Sequence, residues 1–306
     1  MRAVVLTEFG PPGNLVPSDV AEPVPAPDQA LIDVQVASIT FVETQIRAGR
    51  APNPAMLPQL PAILGNGVGG TDRTGQRLVA ATGGTGGYAE RAVASDPWPL
   101  PVPDGVDLMD AVALLADGRT ALALVEAAAV RPGETVLVEA AAGGVGSLLV
   151  QLARNAGARV IGAAGGARKT AVAADLGADA VVDYSAADWA SGVGAADVVF
   201  DGVGGEIGRA SFGLVSPGGR FISYGLSSGA FTVVDEAEAA RREITVIRGV
   251  RVTPEQSREL SAKALAEAAA GRLRPLIGQT FPLERAADAH AAIESRQTIG
   301  KTLLIV

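Results

Sequence analysis

The chain of 306 residues contains no cysteine, which excludes disulfides, thiolate nucleophiles and cysteine-ligated zinc at once. It has one histidine, His290, so the usual donor set of a catalytic zinc is missing as well. Positive charge is scarce. With 25 Lys and Arg against 33 Asp and Glu, the net charge is −8, which argues against nucleic acid or an acidic membrane as the main partner. Nearly half the residues are hydrophobic, yet no uninterrupted apolar run approaches the length of a membrane span. Met1-Arg2-Ala3-Val4-Val5-Leu6-Thr7 reads as the beginning of a strand rather than as a cleavable signal. There are no internal repeats, and alanine enrichment is the only compositional bias. A soluble, cytoplasmic protein is expected, long enough for two domains with separate cores.

What is present is a strand, a glycine turn and a helix in succession. Thr135-Val136-Leu137-Val138 reads as a buried parallel strand, and Ser147 to Arg154 has the apolar spacing of a helix. Between them runs Glu139-Ala140-Ala141-Ala142-Gly143-Gly144-Val145-Gly146. Gly143 lets the backbone approach a pyrophosphate, and the helix start offers free N–H groups and a partial positive charge. Ala141 stands where the usual first glycine would be, so the pattern is A-x-G-x-x-G. Ala158-Arg159-Val160-Ile161-Gly162 then reads as the second strand of the same unit. An enzyme that prefers NAD usually carries an acid near the end of that strand. Here Gly162-Ala163-Ala164-Gly165-Gly166-Ala167-Arg168-Lys169 has none before its two cations. An acid would repel a 2′-phosphate, whereas Arg168 and Lys169 would attract it. A helix start disfavours cations, so two together there invite an anionic partner. NADPH is therefore expected ahead of NADH.

Residues 1 to about 105 read as irregular β structure, with short apolar runs (Val4–Leu6, Ala30–Val36, Arg77–Ala80) between proline and glycine clusters. Pro23-Val24-Pro25-Ala26-Pro27 reads as a surface connector, and 65–75 as a short glycine-rich loop. From about Leu108 helix and strand alternate, with strands at Thr135–Val138, Arg159–Ile161, Ala180–Asp183, Val198–Asp201, Gly219–Tyr224 and Ile244–Arg248. Such alternation predicts a parallel sheet with helices on both faces. A long helix (Pro254 to Ala270), a linker, a second helix near Ala286–Ser295 and a last strand, Gly300–Val306, complete the chain.

Taken together, these segments resemble the medium-chain dehydrogenase/reductase superfamily, specifically its zinc-free quinone oxidoreductase branch. The resemblance runs through Phe9-Gly10-Pro11-Pro12, Ala37 to Gly49, Gly86-Gly87-Tyr88-Ala89-Glu90, Arg131-Pro132-Gly133-Glu134, the glycine run, Gly157-Ala158, Asp175 to Asp179, Ala289-His290 and Gly300-Lys301. It implies an α/β protein with a GroES-like irregular β domain (1–116 and 253–306) and a Rossmann doubly wound parallel sheet (117–252). The active site is expected in the cleft between them, and a homodimer is expected through the edge of the Rossmann sheet. The resemblance also implies cofactor contacts. Gly143, Gly144 and Val145 form the pyrophosphate turn, and Gly165 and Lys169 occupy the 2′-phosphate loop. Tyr184 and Arg296 match residues beside that phosphate, Thr120 matches a threonine near the nicotinamide, and Gly225 and Ser227 lie in a loop that borders it. Leu226 replaces an asparagine in that loop.

Departures cluster on the substrate side. Leu64-Gly65-Asn66-Gly67-Val68-Gly69-Gly70 replaces the G-H-E motif of zinc-dependent relatives. Gly67 stands where a glutamate is common in the zinc-free branch, Thr40 where an asparagine is common, and Gln45 where some relatives carry tyrosine. Substrate identity therefore does not carry over. The expected reaction is hydride transfer from NADPH to a quinone or an α,β-unsaturated carbonyl, a small-molecule substrate, without metal. Thr40, Gln45 and Asn66 are the candidate hydrogen-bond donors to the carbonyl oxygen, where negative charge develops. Two other readings stay open: an enoyl-thioester reductase, and a non-catalytic NADPH-binding protein.

Overall fold

The computed structural model describes residues 1–95 and 98–306. In chain order its elements are β1 (Arg2–Leu6), β2 (Leu15–Asp19), β3 (Gln29–Ile39), α1 (Phe41–Arg47), β4 (Ala62–Ile63), β5 (Gly67–Thr71), β6 (Arg77–Ala81), β7 (Arg91–Ser95), β8 (Leu100–Pro101) and α2 (Leu108–Ala128). There follow β9 (Thr135–Glu139), α3 (Gly144–Asn155), β10 (Arg159–Ala164), α4 (Ala167–Asp175), β11 (Ala180–Asp183), β12 (Ala196–Asp201), α5 (Gly205–Gly213) and β13 (Val215–Ser223). The last are α6 (Glu236–Arg241), β14 (Thr245–Arg248), α7 (Pro254–Ala269), β15 (Ile277–Pro282), α8 (Ala286–Glu294) and β16 (Lys301–Ile305). The chain divides into two compact units, Met1–Ala116 with Pro254–Val306, and Asp117–Thr253.

In the second unit six strands lie in the order β11-β10-β9-β12-β13-β14, every neighbouring pair parallel. This is the 3-2-1-4-5-6 order of a doubly wound dinucleotide-binding sheet. Val136, Leu137 and Val138 on β9, and Val198, Val199 and Phe200 on β12, are all fully buried. Such unbroken apolar runs are what strands covered on both faces require. The winding reverses between β9 and β12, so the crevice outside their carboxyl ends is where this fold takes a ligand. Those ends carry Glu139 and Asp201.

In the first unit a seven-stranded sheet runs β15-β16-β3-β5-β6-β8, with β7 also paired to β3, beside a three-stranded sheet β2-β1-β4. All these pairs are antiparallel except β15 with β16. Two stretches differ from the sequence-based expectation. Part of the expected loop 65–75 is strand β5, paired to both β3 and β6. Its glycines serve packing rather than looseness. A Cβ at Gly69 would lie 2.3 Å from the Val112 side chain, and one at Gly70 1.9 Å from the Asp33 carbonyl oxygen. The linker before α8 contains β15, whose polar Gln279 and Thr280 and whose Pro282 hide it from hydropathy. An edge position tolerates all three, because proline there breaks no central ladder. Among the described residues no helix is long and apolar enough to cross a membrane.

Candidate functional site

The first unit brings Thr40 and Asn66 together through a residue the sequence reading did not single out, Glu43. Thr40 is the N-cap of α1 and forms a reciprocal capping box with Glu43. The Glu43 carboxylate goes further than capping. Its Oε2 accepts from Thr40 N at 2.5 Å and from Thr40 Oγ1 at 2.9 Å, and its Oε1 accepts from Asn66 N at 2.9 Å. Glu43 is almost fully buried. Burial pushes its carboxyl up, against the hydrogen bonds of Thr40 and Asn66 and the charge of buried Lys301. The T-x-x-E spacing ahead of an apolar run was a readable signal; that the acid would also reach Asn66 was not.

The three candidate donors differ in what they have left to give. Thr40 Oγ1 commits its only proton to Glu43 and accepts from Glu43 N at 3.3 Å. Gln45 Nε2 donates to Thr44 Oγ1 at 3.1 Å, which uses one of its two protons. Asn66 Oδ1 accepts from Gly84 N at 2.8 Å, and its backbone carbonyl accepts from Thr82 N at 2.8 Å. The Gly84 bond fixes which way the amide faces, and no protein acceptor among the described residues takes its NH2. At Gly67 a Cβ would lie 2.5 Å from Ser38 Oγ, so any side chain there requires the Ser38 hydroxyl to turn away. Arg296 also lies in this unit, its guanidinium 4.5 Å from the centroid of the Phe41 ring.

In the second unit Gly143 is the N-cap of α3. Its N–H closes the turn onto Ala140 O at 2.7 Å, while Ala140 itself adopts φ +49. A Cβ at Gly146 would lie 2.2 Å from that same carbonyl oxygen, so the last glycine of the motif lets α3 sit against the turn. The N–H groups of Gly144, Val145 and Gly146 open the helix with no acceptor among the described residues. Three unbonded donors at a switch point, over a turn that a Cβ would fill, fit a dinucleotide pyrophosphate. Gly165 and Tyr184 touch: a Cβ on Gly165 would meet the tyrosine ring at 3.1 Å. Lys169 stands in the first turn of α4. Gly225 N donates to Asp201 O at 3.1 Å and Ser227 N to Gly202 O at 3.5 Å, which ties their loop to the end of β12. Thr120 lies within α2.

One acid near the phosphate loop went unread. Asp183, at the end of β11, accepts from Gly166 N at 2.8 Å and from Ser185 N at 2.9 Å. These bonds, with one from Ser185 Oγ, hold its carboxyl below the usual range. The sequence reading sought an acid after the second strand of the sheet, and this one comes from the third.

Two units, one with a nucleotide turn at the switch point of a 3-2-1-4-5-6 sheet and one with an antiparallel GroES-like sheet, define a medium-chain dehydrogenase/reductase. The chain is 33% identical to the quinone oxidoreductase of Pongo abelii, over 100% of this chain and 98% of that protein. It is 31% identical to a 2-haloacrylate reductase of a Burkholderia species, over 100% of this chain and 99% of that protein. Its fold matches the crystal structure of Escherichia coli quinone oxidoreductase complexed with NADPH, with a TM-score of 0.90, 28% identity and full coverage of both chains. The chain belongs to the quinone oxidoreductase branch of the medium-chain dehydrogenase/reductase superfamily, a family of oxidoreductase enzymes. A family model described as zinc-binding dehydrogenase also matches residues 176–304. The residues present do not fit zinc. The chain has no cysteine, and His290 is buried on α8 with Nε2 3.1 Å from Tyr88 Oη. Among the described residues no group of three His, Cys, Asp or Glu could hold a metal.

Proposed function

We propose that the protein is an NADPH-dependent reductase of quinones or other α,β-unsaturated carbonyl compounds, working without a metal. The observation that carries this reading is Asn66, an amide pinned on three sides whose NH2 alone is left for an oxygen acceptor. The Escherichia coli relative crystallised with NADPH and the haloacrylate reductase support the cofactor and the enone class. Bound NADPH supplies the hydride. Gly144, Val145 and Gly146 N–H groups hold the pyrophosphate, with Gly143 leaving the backbone open to it. Lys169 and Tyr184, beside Gly165, take the 2′-phosphate, and Arg168 in the same first turn of α4 adds a second positive charge against the one negative charge of Asp183. Gly225, Ser227 and Thr120 border the nicotinamide. Asn66 donates to the substrate carbonyl as charge develops on its oxygen, and Gln45 is a second donor. The Asn66 and Gln45 amides do not titrate, so water or a relay delivers the final proton.

Calorimetric titration with NADPH and NADH, followed by NADPH oxidation against quinones, 2-alkenals and enoyl thioesters, tests the reading. Lys169→Ala is expected to weaken NADPH about tenfold and leave NADH nearly unchanged, because an ammonium on a 2′-phosphate acts as a point charge. No NADPH binding sinks the proposal. Binding without turnover on any substrate favours the non-catalytic reading, and turnover of thioesters alone favours the enoyl-thioester reading.

The proposal includes a homodimer joined along an end strand of the six-stranded sheet, β11 or β14, since an unpaired strand edge is a template for pairing. Light scattering is expected to give twice the chain mass. A monomer that persists at high protein concentration would remove the dimer from the reading.

A further inference from the structure

We propose that Glu139 and Asp201 hold one proton between them, and that this shared proton positions the loops bordering the nicotinamide nucleotide; the inference rests on the cofactor reading above. Both are positioning residues, since neither is placed against cofactor or substrate.

Glu139 closes β9 and Asp201 closes β12, the two strands that flank the switch point. Their register pairs Phe200 with Val138, so the next residues along are Asp201 and Glu139. Both side chains are fully buried. Two carboxylates side by side away from water repel strongly, and such a pair keeps a proton. The hydrogen bonds say which residue keeps it. Asp201 accepts four: Oδ1 from Val203 N at 3.2 Å and Gly204 N at 2.7 Å, and Oδ2 from Ser223 Oγ at 2.9 Å and Thr232 Oγ1 at 2.7 Å. Glu139 accepts two, from Ser211 Oγ and from the same Val203 N at 3.1 Å. Gly204 N, Ser223 Oγ and Thr232 Oγ1 serve Asp201 alone, and Val203 N is shared with Glu139. An ionised Asp201 therefore keeps an acceptor site, and Glu139, with fewer donors, is the neutral acid that fills it. Burial, then the charge of Asp201, holds the Glu139 carboxyl well above the usual range, while Ser211 and Val203 pull the other way.

Other elements add to the effect. Tyr224, which follows β13, is pushed up by burial and by Glu139, Asp201, Asp117 of α2 and Tyr184 after β11. Each of these neighbours is itself an acid, so none favours a second negative charge. From α5, a Cβ on Gly208 would lie 1.9 Å from Thr232 Oγ1 and 2.8 Å from Asp201 Oδ1, which leaves no room for solvent on that side.

The backbone that the pair holds is the backbone the nucleotide needs. Val203 and Gly204 N–H point at the carboxyls. The carbonyl of Asp201 takes Tyr224 N and Gly225 N at 3.0 and 3.1 Å, and that of Val203 takes Ser228 N at 2.8 Å. Loss of the proton would place a second carboxylate against Asp201 and pull this assembly apart. Because the folded state raises the Glu139 value, its contribution is full below the ordinary carboxyl value of 4.5 and is lost progressively as pH rises from there through the folded value.

Glu139→Gln keeps the shape and a donor to Asp201 but cannot ionise; Glu139→Ala removes both. The Gln variant is expected to bind NADPH within about threefold of wild type at neutral pH, and the Ala variant about tenfold or more weaker, the range for an unsatisfied buried partner. Any alkaline weakening of wild-type binding is expected to vanish in the Gln variant. Infrared spectra at neutral pH supply a readout that packing alone would not move. A protonated-carboxyl carbonyl band is expected in wild type and not in Glu139→Gln, with Glu43 common to both. No difference between those spectra overturns the shared proton. Equal NADPH affinity in wild type and the Ala variant, or a Gln variant as impaired as Ala, overturns the positioning role. If wild type binds no NADPH, the cofactor reading and the positioning role both fall, and the infrared comparison still decides the proton.

Discussion

Asn66→Ala is expected to lower kcat by about 10²-fold on any quinone or enone that the wild-type enzyme reduces, toward the lower end of the 10²–10³ range for a lost oxyanion donor. The lower end applies because Asn66 is only half-buried, and water screens and partly replaces a donor at such a site. Affinity for NADPH is expected to stay within about threefold, because the residues proposed to hold the nucleotide all belong to the other unit, Asp117–Thr253. The alanine variant also strands the Gly84 N–H, which bonds Asn66 Oδ1, so a second variant separates chemistry from scaffolding. Asn66→Asp keeps an oxygen for Gly84 and offers the substrate no proton. Its kcat should fall at least as far as that of the alanine variant, with an unchanged melting temperature. An Asp variant that retains most of its activity would remove Asn66 from the chemistry and leave Gln45 as the remaining donor.

That ranking of donors could not have been read from the sequence. Thr40, Gln45 and Asn66 were found because their spacing resembles a family pattern, and pattern alone treats the three alike. The distinction comes from Glu43, whose carboxylate takes the Thr40 proton and the Asn66 backbone N–H, a contact between segments distant in sequence. The parallel sheet was legible for the opposite reason. Val136–Val138 and Val198–Phe200 are apolar runs buried on both faces, and the A-x-G-x-x-G turn follows the first of them directly. β5 was hidden because its glycines carry no hydropathy signal, although Val112 and the Asp33 backbone press against them. β15 was hidden because a half-exposed edge strand needs no apolar run. The pairing of Glu139 with Asp201 was hidden as well, since each reads alone as an ordinary acid at a strand end. Local physics is written locally, and contacts made by tertiary closure are not.

His290 is expected to make the first unit acid-labile, and His290→Gln to remove that lability. Burial, with the nearby charge of Arg47, brings the imidazole down to about 3 from an ordinary value of 6.5. It is therefore neutral in the folded chain, with Nε2 beside Tyr88 Oη and Nδ1 without a partner among the described residues. Arg47 cannot retreat, since its guanidinium bonds Gly10 O and Glu294. Below pH 6.5 the unfolded chain takes up a proton that the folded chain refuses, so stability is present above that value and drains as pH falls toward 3. At about 1.4 kcal/mol per unit of difference, the loss over the whole window is on the order of 4–5 kcal/mol. Glutamine can still reach the tyrosine hydroxyl, and it costs about 1–3 kcal/mol of packing at neutral pH. Between pH 7 and pH 4.5 the stability gap between wild type and variant should close or reverse, by about 2–3 kcal/mol. Trp98 packs on the core of the first unit and Trp189 on that of the second, so denaturation followed by fluorescence in a Trp189→Phe background reports the relevant unit alone. Other buried acids, Glu43 among them, titrate equally in both chains and cancel in the comparison. Wild-type and variant stability curves that run parallel through that range would mean that His290 takes up its proton in place, with water reaching the buried Nδ1.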